Sequence, residues 1–485
     1  MKKIITIGEA LIDFIPNKKG CSLKEVVGFE RVAGGAPANV AAVVSKLGGK
    51  SNFISQLGED AFGDYIIDEL NKVNVDTSYV LRTNKANTGL AFVSLKEDGN
   101  RDFSFYRNPS ADMLLNESEI NKEWFNDCHS LHFCSVDLID CPMKEAHKKA
   151  IDCAIDNNSI ISFDPNVRLP LWNSEDECRK AILEFLPFAH IVKISDEELE
   201  FITGFNNIED AKEVLFNGSV KMVIFTKGKD GAEIYTKDKV VSIEGNVVEV
   251  VDTTGAGDSF IGAFLFKLLE NEVDLDGIDK LSCDTIRDYL LFANHYAAYS
   301  TTKKGAIASY ANLEEIQEYT EAMIAQVMKD VRGVEVTLPF PRITWDEAME
   351  RYGSDKPDTR FDMELIDVTD IASATDFKVF RMASDNGGVV KALNAKGAAD
   401  KYSRKELDRL GQFVGQFGAK GLAWIKVDEN GELTGPIAKF MGGVSDELKK
   451  ATNAEAGDVL MFAADQFLTA VTALGAVRSK VGKEL

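Results

Sequence analysis

The sequence lacks the marks of several large classes of protein. It has no excess of positive charge: the formal net charge is −23. A general binder of nucleic acid or of anionic membrane surface is therefore not expected. No apolar run approaches the roughly 20 residues of a membrane-spanning helix, so no membrane partner is expected either. The opening stretch "MKKIITIGEALIDF" sets two lysines before an apolar run, as a signal peptide does. Glu9 and Asp13 interrupt it, however, and no small-residue cleavage site follows. It reads better as the first β-strand of a cytoplasmic protein. The seven cysteines (Cys21, Cys128, Cys134, Cys141, Cys153, Cys178 and Cys283) are odd in number and form no CxxC pair. That suggests neither a disulfide framework nor a zinc site. No cysteine follows Cys283, and after residue 331 the only asparagines are Asn386, Asn394, Asn430 and Asn453. The two parts of the chain thus differ in composition as if they had different origins.

What is present is enough for two or three domains with sizeable cores: 485 residues, 45% of them hydrophobic. Up to about residue 310, short apolar runs alternate with helical patterns. "KKIITIGEAL", "SNFISQLG", "SLHFCSV", "SIISFDPN", "HIVKIS" and "KMVIFTKG" read as buried strands, with helical stretches such as Ala38–Leu47 and Ala211–Phe216 between them. This predicts a doubly wound, mostly parallel α/β sheet, with ligands beyond the carboxyl ends of its strands. "TGLAFVSLKEDGNRDFSFYR" breaks the pattern. Its two alternating runs around Asp-Gly predict a β-hairpin, either a lid or a plain edge. "NLEEIQEYTEAMIAQVMKDV" predicts one long amphipathic helix, and the domain boundary is placed inside it. After the prolines of "LPFPRITWDEAMERYGSDKPD", strand and helix patterns alternate again. There is no internal repeat and no low-complexity segment.

Chemistry concentrates in glycine clusters. "VDTTGAGDSFIGAF" lacks the Lys-Ser/Thr of a P-loop and has Phe260 where a dinucleotide fingerprint would need its third glycine. Val248–Val251 read as a strand end and Ile261–Leu269 as a helix. Gly255, Ala256 and Gly257 then present main-chain N–H groups at a helix N-terminus, a geometry that suits an anion. Asp258 falls in the first turn, as a base toward an attacking hydroxyl or as a favourable helix charge. In "VAGGAPANVAAVVSKLGG", Gly34 and Gly35 end a strand or turn, and Asn39 either bonds a polyol or caps a helix. Asp13, an acid read as buried at the end of an apolar strand, needs hydrogen-bonding partners, which sugar hydroxyls supply.

"GGAPANVAAVVSKLGGKSNFISQLGEDAFG" and "DTTGAGDSFIGAF", in this order, resemble the two signatures of the ribokinase-like (PfkB) carbohydrate kinases. The resemblance runs from Met1 to about Tyr310. It implies a ribokinase-like three-layer α/β domain with a β lid, and ATP-dependent phosphorylation of a sugar hydroxyl with Mg²⁺. It implies Asp258 as catalytic base and Gly255, Ala256 and Gly257 as anion hole, with Asp13, Gly34, Gly35 and Asn39 on the sugar. "TKGKDG" matches a nucleotide-loop motif through Thr226, Gly228 and Gly231, and Asn294 falls where the family contacts adenine. Asp252, Thr254 and Gly305 fall near the family's monovalent-cation site, for which K⁺ is the candidate. The family's Asn-x-x-Glu reads here within "KISDEE": Ser195 replaces the Asn, and Glu198 is kept to hold Mg²⁺ through water. Lys193 and Ser195 join the ATP-binding set. A homodimer through the lid is expected. "GGAPANVA", "SFYRNPSADMLL" and "FDPNVRLPLW" are similar to fructokinases, the last two also to 2-keto-3-deoxygluconate kinases. Both families place an arginine near the substrate, here Arg107 and Arg168; either is otherwise a surface arginine. Fructose phosphorylated at its 6-hydroxyl is the expected reaction, with the sugar acid second and a vestigial, binding-only kinase domain as the remaining alternative.

The late part, about Glu318 to Leu485, resembles bacterial aspartyl-tRNA synthetase around its inserted domain. "FPRITWDEAMERYGSDKPDTRFDMELIDVTD" matches the approach to the insertion and "ALGAVRSKVGKEL" the return to the core. The Arg-bearing ATP motif, the later Gly-Leu-Asp-Arg-like motif and the OB-fold anticodon domain are lacking, so no aminoacylation is expected. The implied division is a kinase domain over 1–315, a helical junction over 316–331 and a small α/β (α+β) module over 332–485. A chimera carrying a passenger module is expected, with a natural fusion using the module for binding as the alternative.

Overall fold

The structure is a computed structural model that describes residues 2–18, 20, 22–95 and 101–485. It forms two compact units, Met1–Leu338 and Pro339–Leu485. The strands of the first unit are β1 (Lys3–Ile7), β2 (Leu11–Pro16), β3 (Phe29–Gly34), β4 (Ser51–Gly58), β5 (Val80–Thr83), β6 (Gly89–Leu95), β7 (Arg101–Tyr106), β8 (Cys128–Cys134), β9 (Ile160–Asp164), β10 (Ile191–Ser195), β11 (Met222–Thr226), β12 (Ala232–Thr236) and β13 (Val240–Ile243). A nine-stranded sheet has the order β13-β12-β11-β10-β9-β8-β1-β4-β5. It is parallel from β5 to β11; β12 alone is reversed, pairing antiparallel with both β11 and β13. Side chains alternate between its faces as the pleat requires. Ile4 enters the core on one face, and Ile5 and Ile7 enter the core on the other.

A second, four-stranded sheet has the order β3-β2-β6-β7. Its strands β6 and β7 pair antiparallel, Leu90 opposite Tyr106, which is the expected hairpin. The Asp98–Gly99 turn lies outside the described residues. Asp13 stands within β2, half-buried rather than buried at a strand end, because β2 belongs to this smaller sheet.

Two helices bring the site together. The helix Ala36–Lys46 is capped by Gly35 at φ 113°, so Asn39 lies inside its first turns rather than at its cap. The helix Ala256–Glu270 begins earlier than its apolar run suggested, because Gly255 at φ 73° starts it directly. It is buried on nearly every side. The two helices approach at Gly262, where a Cβ would stand 2.9 Å from Val43 and 3.3 Å from the Val40 carbonyl. Val248–Val251 form no strand. Val247, Val250 and Val251 are exposed, and the backbone of Val251 and Asp252 donates to the Thr301 carbonyl instead of to a sheet neighbour. The long helix spans Leu313–Arg332 and lies in the first unit.

The second unit holds β14 (Leu365–Asp367), β15 (Val389–Ala395), β16 (Ala423–Val427), β17 (Leu433–Thr434) and β18 (Val459–Asp465), an antiparallel sheet ordered β14-β15-β18-β16-β17. The helix Phe467–Glu484 packs on it through Ala470, Val471, Leu474, Val477 and Val481. Its buried Arg478 donates to the carbonyls of Asp358, Phe361 and Met363 at 2.9, 3.0 and 2.9 Å and lies against the Tyr352 and Phe361 rings. Nearby Lys356 and Arg360 are exposed, and Arg360 pairs with Asp358 at 2.6 Å.

Two outcomes follow. Gly262→Ala adds a methyl group where none fits and lowers stability by about 1–3 kcal/mol, read as a fall in thermal midpoint. Because each unit has its own core, fragments 1–338 and 339–485 expressed separately each unfold cooperatively by circular dichroism; a fragment without a transition contradicts this.

Candidate active site

The carboxyl ends of β9 and β10, the start of the helix Ala256–Glu270 and the four-stranded sheet meet around one cavity of about 390 Å³. Asp13, Gly35, Asn39, Asn166, Arg168 and Asp258 line it, together with Glu9 and Gly255. Asp258, only 7% exposed, is its chemical centre. Asn39 Nδ2 donates to Asp258 Oδ2 at 2.8 Å and Asn166 Nδ2 donates to Oδ1 at 3.1 Å. Burial pushes the Asp258 carboxyl up, against the Asn39 hydrogen bond and the charges of Arg168 and Lys193; the net is a raised pKa. A raised but pairable carboxylate at a helix N-terminus suits a base. Asn39 is therefore no helix cap: its Nδ2 donates to Asp258, and its Oδ1 is buried without a partner among the described residues.

The glycine loop is shaped for close approach. A Cβ on Gly255 would collide with the Tyr310 hydroxyl at 2.2 Å, and that hydroxyl donates to the Gly255 carbonyl at 3.2 Å. The N–H of Ala256, one of the three expected anion donors, is taken up by the Thr253 carbonyl at 3.2 Å. A Cβ on Gly257 would stand 3.2 Å from Lys193 Nζ, so an ammonium lies against the loop. Lys193 is buried and pairs with Asp164 Oδ2 at 2.8 Å. Burial raises the Asp164 carboxyl to about 6, with Lys193 opposing.

The strand ends also collect the expected nucleotide residues. Ser195 and Thr226 are direct neighbours across β10 and β11. Glu198 Oε2 accepts from Ser195 N–H and Oγ at 3.0 and 2.9 Å, and its Oε1 accepts from Val167 N–H at 2.8 Å. Burial lifts the Glu198 carboxyl, but Lys193 and these N–H groups outweigh it and hold it below the usual range. Gly228 and Gly231 turn at φ 52° and 101°. Asn294, on the helix Cys283–Thr301, donates to the Glu244 carbonyl at 3.3 Å. Thr226, Gly228, Gly231 and Asn294 lie outside the lining of the Asp258 cavity. Asp252 Oδ1 accepts from Thr254 N–H and Oγ1 at 2.9 and 2.6 Å, and its Oδ2 from Gly305 N–H at 3.0 Å. These three expected residues do meet.

Gly34 serves Asp13, since a Cβ there would sit 2.4 Å from Asp13 Oδ2. Arg168 is exposed and lines the cavity. Arg107 is neither a surface residue nor part of the lining: it is buried and ion-paired with Asp112 and Asp137. Sequence reasoning missed four participants: Glu9, Asp164, Asn166 and Tyr310. Asp164 and Asn166 stand in the polar strand end "FDPN", where position alone could have marked them. Glu9 had shown itself only as an interruption of the apolar start.

A parallel α/β sheet with a strand-end cavity, a buried acid at a glycine-led helix start and a small second sheet defines a small-molecule kinase. The chain belongs to the pfkB family carbohydrate kinases, whose family model matches residues 1–313. A GAD domain model matches residues 380–474, in the part that resembles the aspartyl-tRNA synthetase insertion. The chain is 45% identical over 305 residues to Probable fructokinase-2 of Arabidopsis thaliana, covering 63% of this chain and 91% of the relative. A fructokinase with bound ATP from Xylella fastidiosa superposes with a TM-score of 0.62 at 32% identity, covering 67% of this chain and 100% of the other. A fructokinase double mutant from Vibrio cholerae O395 in fructose, ADP and potassium ion bound form gives a TM-score of 0.59 at 32% identity, over 65% and 97% of the two chains.

Gly255→Ala tests the loop. The left-handed backbone costs about 1–2 kcal/mol for a non-glycine residue, and Tyr310 has to move. The thermal midpoint falls and kcat drops at least tenfold; an unchanged kcat contradicts the close-approach reading.

Proposed function

We propose that this protein transfers the γ-phosphoryl group of ATP to the 6-hydroxyl of fructose. One observation carries the reading: Asp258 is buried beside a polar cavity, held by two amides and adjoining a glycine loop backed by an ammonium. The names of the relatives, fructokinases from plants and bacteria, support the sugar. Asp258 takes the proton of the attacking hydroxyl. Asn39 and Asn166 hold both its oxygens, so the carboxylate does not turn away. Gly255 and Gly257 let the phosphate come close, and Lys193 supplies positive charge beside them. Asp13, Gly35 and Asn39 orient the sugar. Lys193, Ser195, Thr226, Gly228, Gly231 and Asn294 form the proposed ATP site.

Mg²⁺ would be held by Glu198 through water. The site fits such an indirect role: the carboxylate is ionised and already accepts three hydrogen bonds. The ion neutralises phosphate charge when bound. Asp252, Thr254 and Gly305 are the proposed K⁺ loop, supported by their convergence on one carboxylate. The lid is the proposed dimer surface, where Tyr106 is 64% exposed. Among the described residues no helix is long and apolar enough to cross a membrane, and six cysteines are free. Free thiols suit the reducing cytoplasm we propose. The kinase domain is proposed to end near residue 315, with the following helix as junction and a non-catalytic passenger after it. A 2-keto-3-deoxygluconate reaction is the second reading, because Arg168 lines the cavity and could face a carboxylate.

Asp258→Asn lowers kcat by about 10²–10⁴-fold, the usual worth of a positioned base, and leaves ATP binding within twofold by calorimetry. Unchanged turnover removes Asp258 as base. The base must be ionised, and its pKa is raised, so kcat/KM of the native enzyme falls on acidification with a midpoint above the ordinary carboxylate value of about 3.9. Turnover of neither fructose nor 2-keto-3-deoxygluconate with ATP and Mg²⁺ contradicts the reading.

A further inference from the structure

Behind the sugar cavity lies a cluster of charged groups that the reaction does not use. Arg107 is ion-paired with both Asp112 and Asp137, and all three side chains are no more than 2% exposed. Ser110 Oγ also donates to Asp112. Glu9, 4% exposed, connects this cluster to the cavity that it lines. Glu9 Oε1 accepts from the N–H of Ala36, the first residue of the helix Ala36–Lys46, at 2.8 Å. Its Oε2 is buried and has no hydrogen-bond partner among the described residues. Arg107 Nε and Nη1 and Asp137 Oδ2 are likewise buried without one.

A buried polar atom without a partner is costly, about 1–3 kcal/mol. Such groups persist where a ligand or ordered water completes them. Two of the orphaned groups belong to residues that line the cavity, Glu9 Oε2 and Asn39 Oδ1, and of the two only Glu9 also adjoins the Arg107 cluster. The charge arithmetic of the cluster is also informative. Arg107 brings one positive charge and is paired with two carboxyls, of which burial pushes Asp137 up, with Arg107 opposing. No unpaired positive charge is left for a substrate carboxylate on this side of the cavity. Burial first, and the charge of Asp137 second, push the Glu9 carboxyl well above the usual range, with Arg107 opposing. A carboxyl that keeps its proton both donates and accepts, as a polyol hydroxyl requires.

We propose that Glu9, backed by the Arg107–Asp112–Asp137 cluster, is a specificity-determining residue that hydrogen-bonds a non-reacting hydroxyl of a neutral sugar and disfavours sugar acids. The inference rests on the fructokinase reading, which it deepens. It reverses the expected part of Arg107: that guanidinium is a positioning group whose charge is spent inside the protein, not a hand for the substrate. Arg168 remains the one of the two candidate arginines on the cavity.

The full chain tests this with three variants, each assayed for KM and kcat on fructose, for turnover of 2-keto-3-deoxygluconate, for KM of ATP, and for the shift in thermal midpoint caused by saturating fructose. Glu9→Ala raises the KM for fructose at least tenfold, shrinks the fructose-induced thermal shift and leaves the KM for ATP within twofold. Glu9→Gln, which keeps the shape and a donor, raises KM at least threefold less than Glu9→Ala does. Asp137→Asn, which uncovers part of the Arg107 charge, raises the ratio of kcat/KM for the sugar acid over that for fructose at least fivefold. A Glu9→Ala protein that folds, binds ATP and keeps its fructose KM within twofold overturns the proposal, as does a Glu9→Gln variant no better than Glu9→Ala. A native enzyme that phosphorylates fructose while these variants behave alike refutes Glu9 but not the function. A native enzyme neither turning over fructose nor stabilised by it refutes both.

Discussion

The site depends on keeping one carboxylate charged and still inside the protein. Burying an ion costs several kcal/mol even after relaxation. A hydrogen bond to a charged group returns about 1.5–3 kcal/mol, so the two amides on Asp258 are of the size needed to offset its burial. They come from distant parts of the chain: Asn39 from the helix Ala36–Lys46 and Asn166 from the loop after β9. Each is placed by a backbone device. Gly262 lets the two helices touch, which brings Asn39 to Asp258. Asn166 adopts φ 45°, a left-handed conformation that asparagine tolerates better than most residues. Sheet order, helix contact and turn conformation thus converge on one side chain.

A second balance sits one layer out. Lys193 is neutralised by Asp164 yet lies against the glycine loop. Glu198 is fixed by Ser195 and Val167. The replacement of asparagine by Ser195 keeps a capping box at the start of the helix Asp196–Thr203, so local order survives the change. On the far side of the cavity, charge is arranged so that it cancels.

Much of this was legible in the sequence because strand ends in parallel sheets carry the site, and strand ends are visible as apolar runs that stop at polar residues. The run "SIISFDPN" gave β9 and its polar tip, and "DTTGAGDSFIGAF" gave the loop and its acid. The order of the glycine clusters then pointed to the family. What escaped depended on tertiary pairing. No local pattern shows that Arg107 meets Asp112 and Asp137, since Asp137 lies on the far side of β8. Glu9 looked like an intruder in an apolar strand because its partner, Ala36 N–H, is 27 residues away. The valines at 248–251 misled in the opposite sense: β-branched residues read as a strand, but no sheet edge receives them. In the second unit the resemblance carried the reading, and a GAD domain match over 380–474 agrees with it. Its buried Arg478 holds the loop bearing Lys356 and Arg360 by carbonyls and aromatic faces, a structural duty that sequence pattern does not reveal.

The central claim is that Asp258 faces the 6-hydroxyl of fructose. A crystal structure of the protein with fructose and a non-hydrolysable ATP analogue tests it most directly. The account predicts the 6-hydroxyl oxygen within about 2.6–3.2 Å of an Asp258 carboxylate oxygen, with Asn39 and Asn166 still holding that carboxylate. A sugar bound with another hydroxyl at Asp258, or with Asp258 turned away from the cavity, would contradict it.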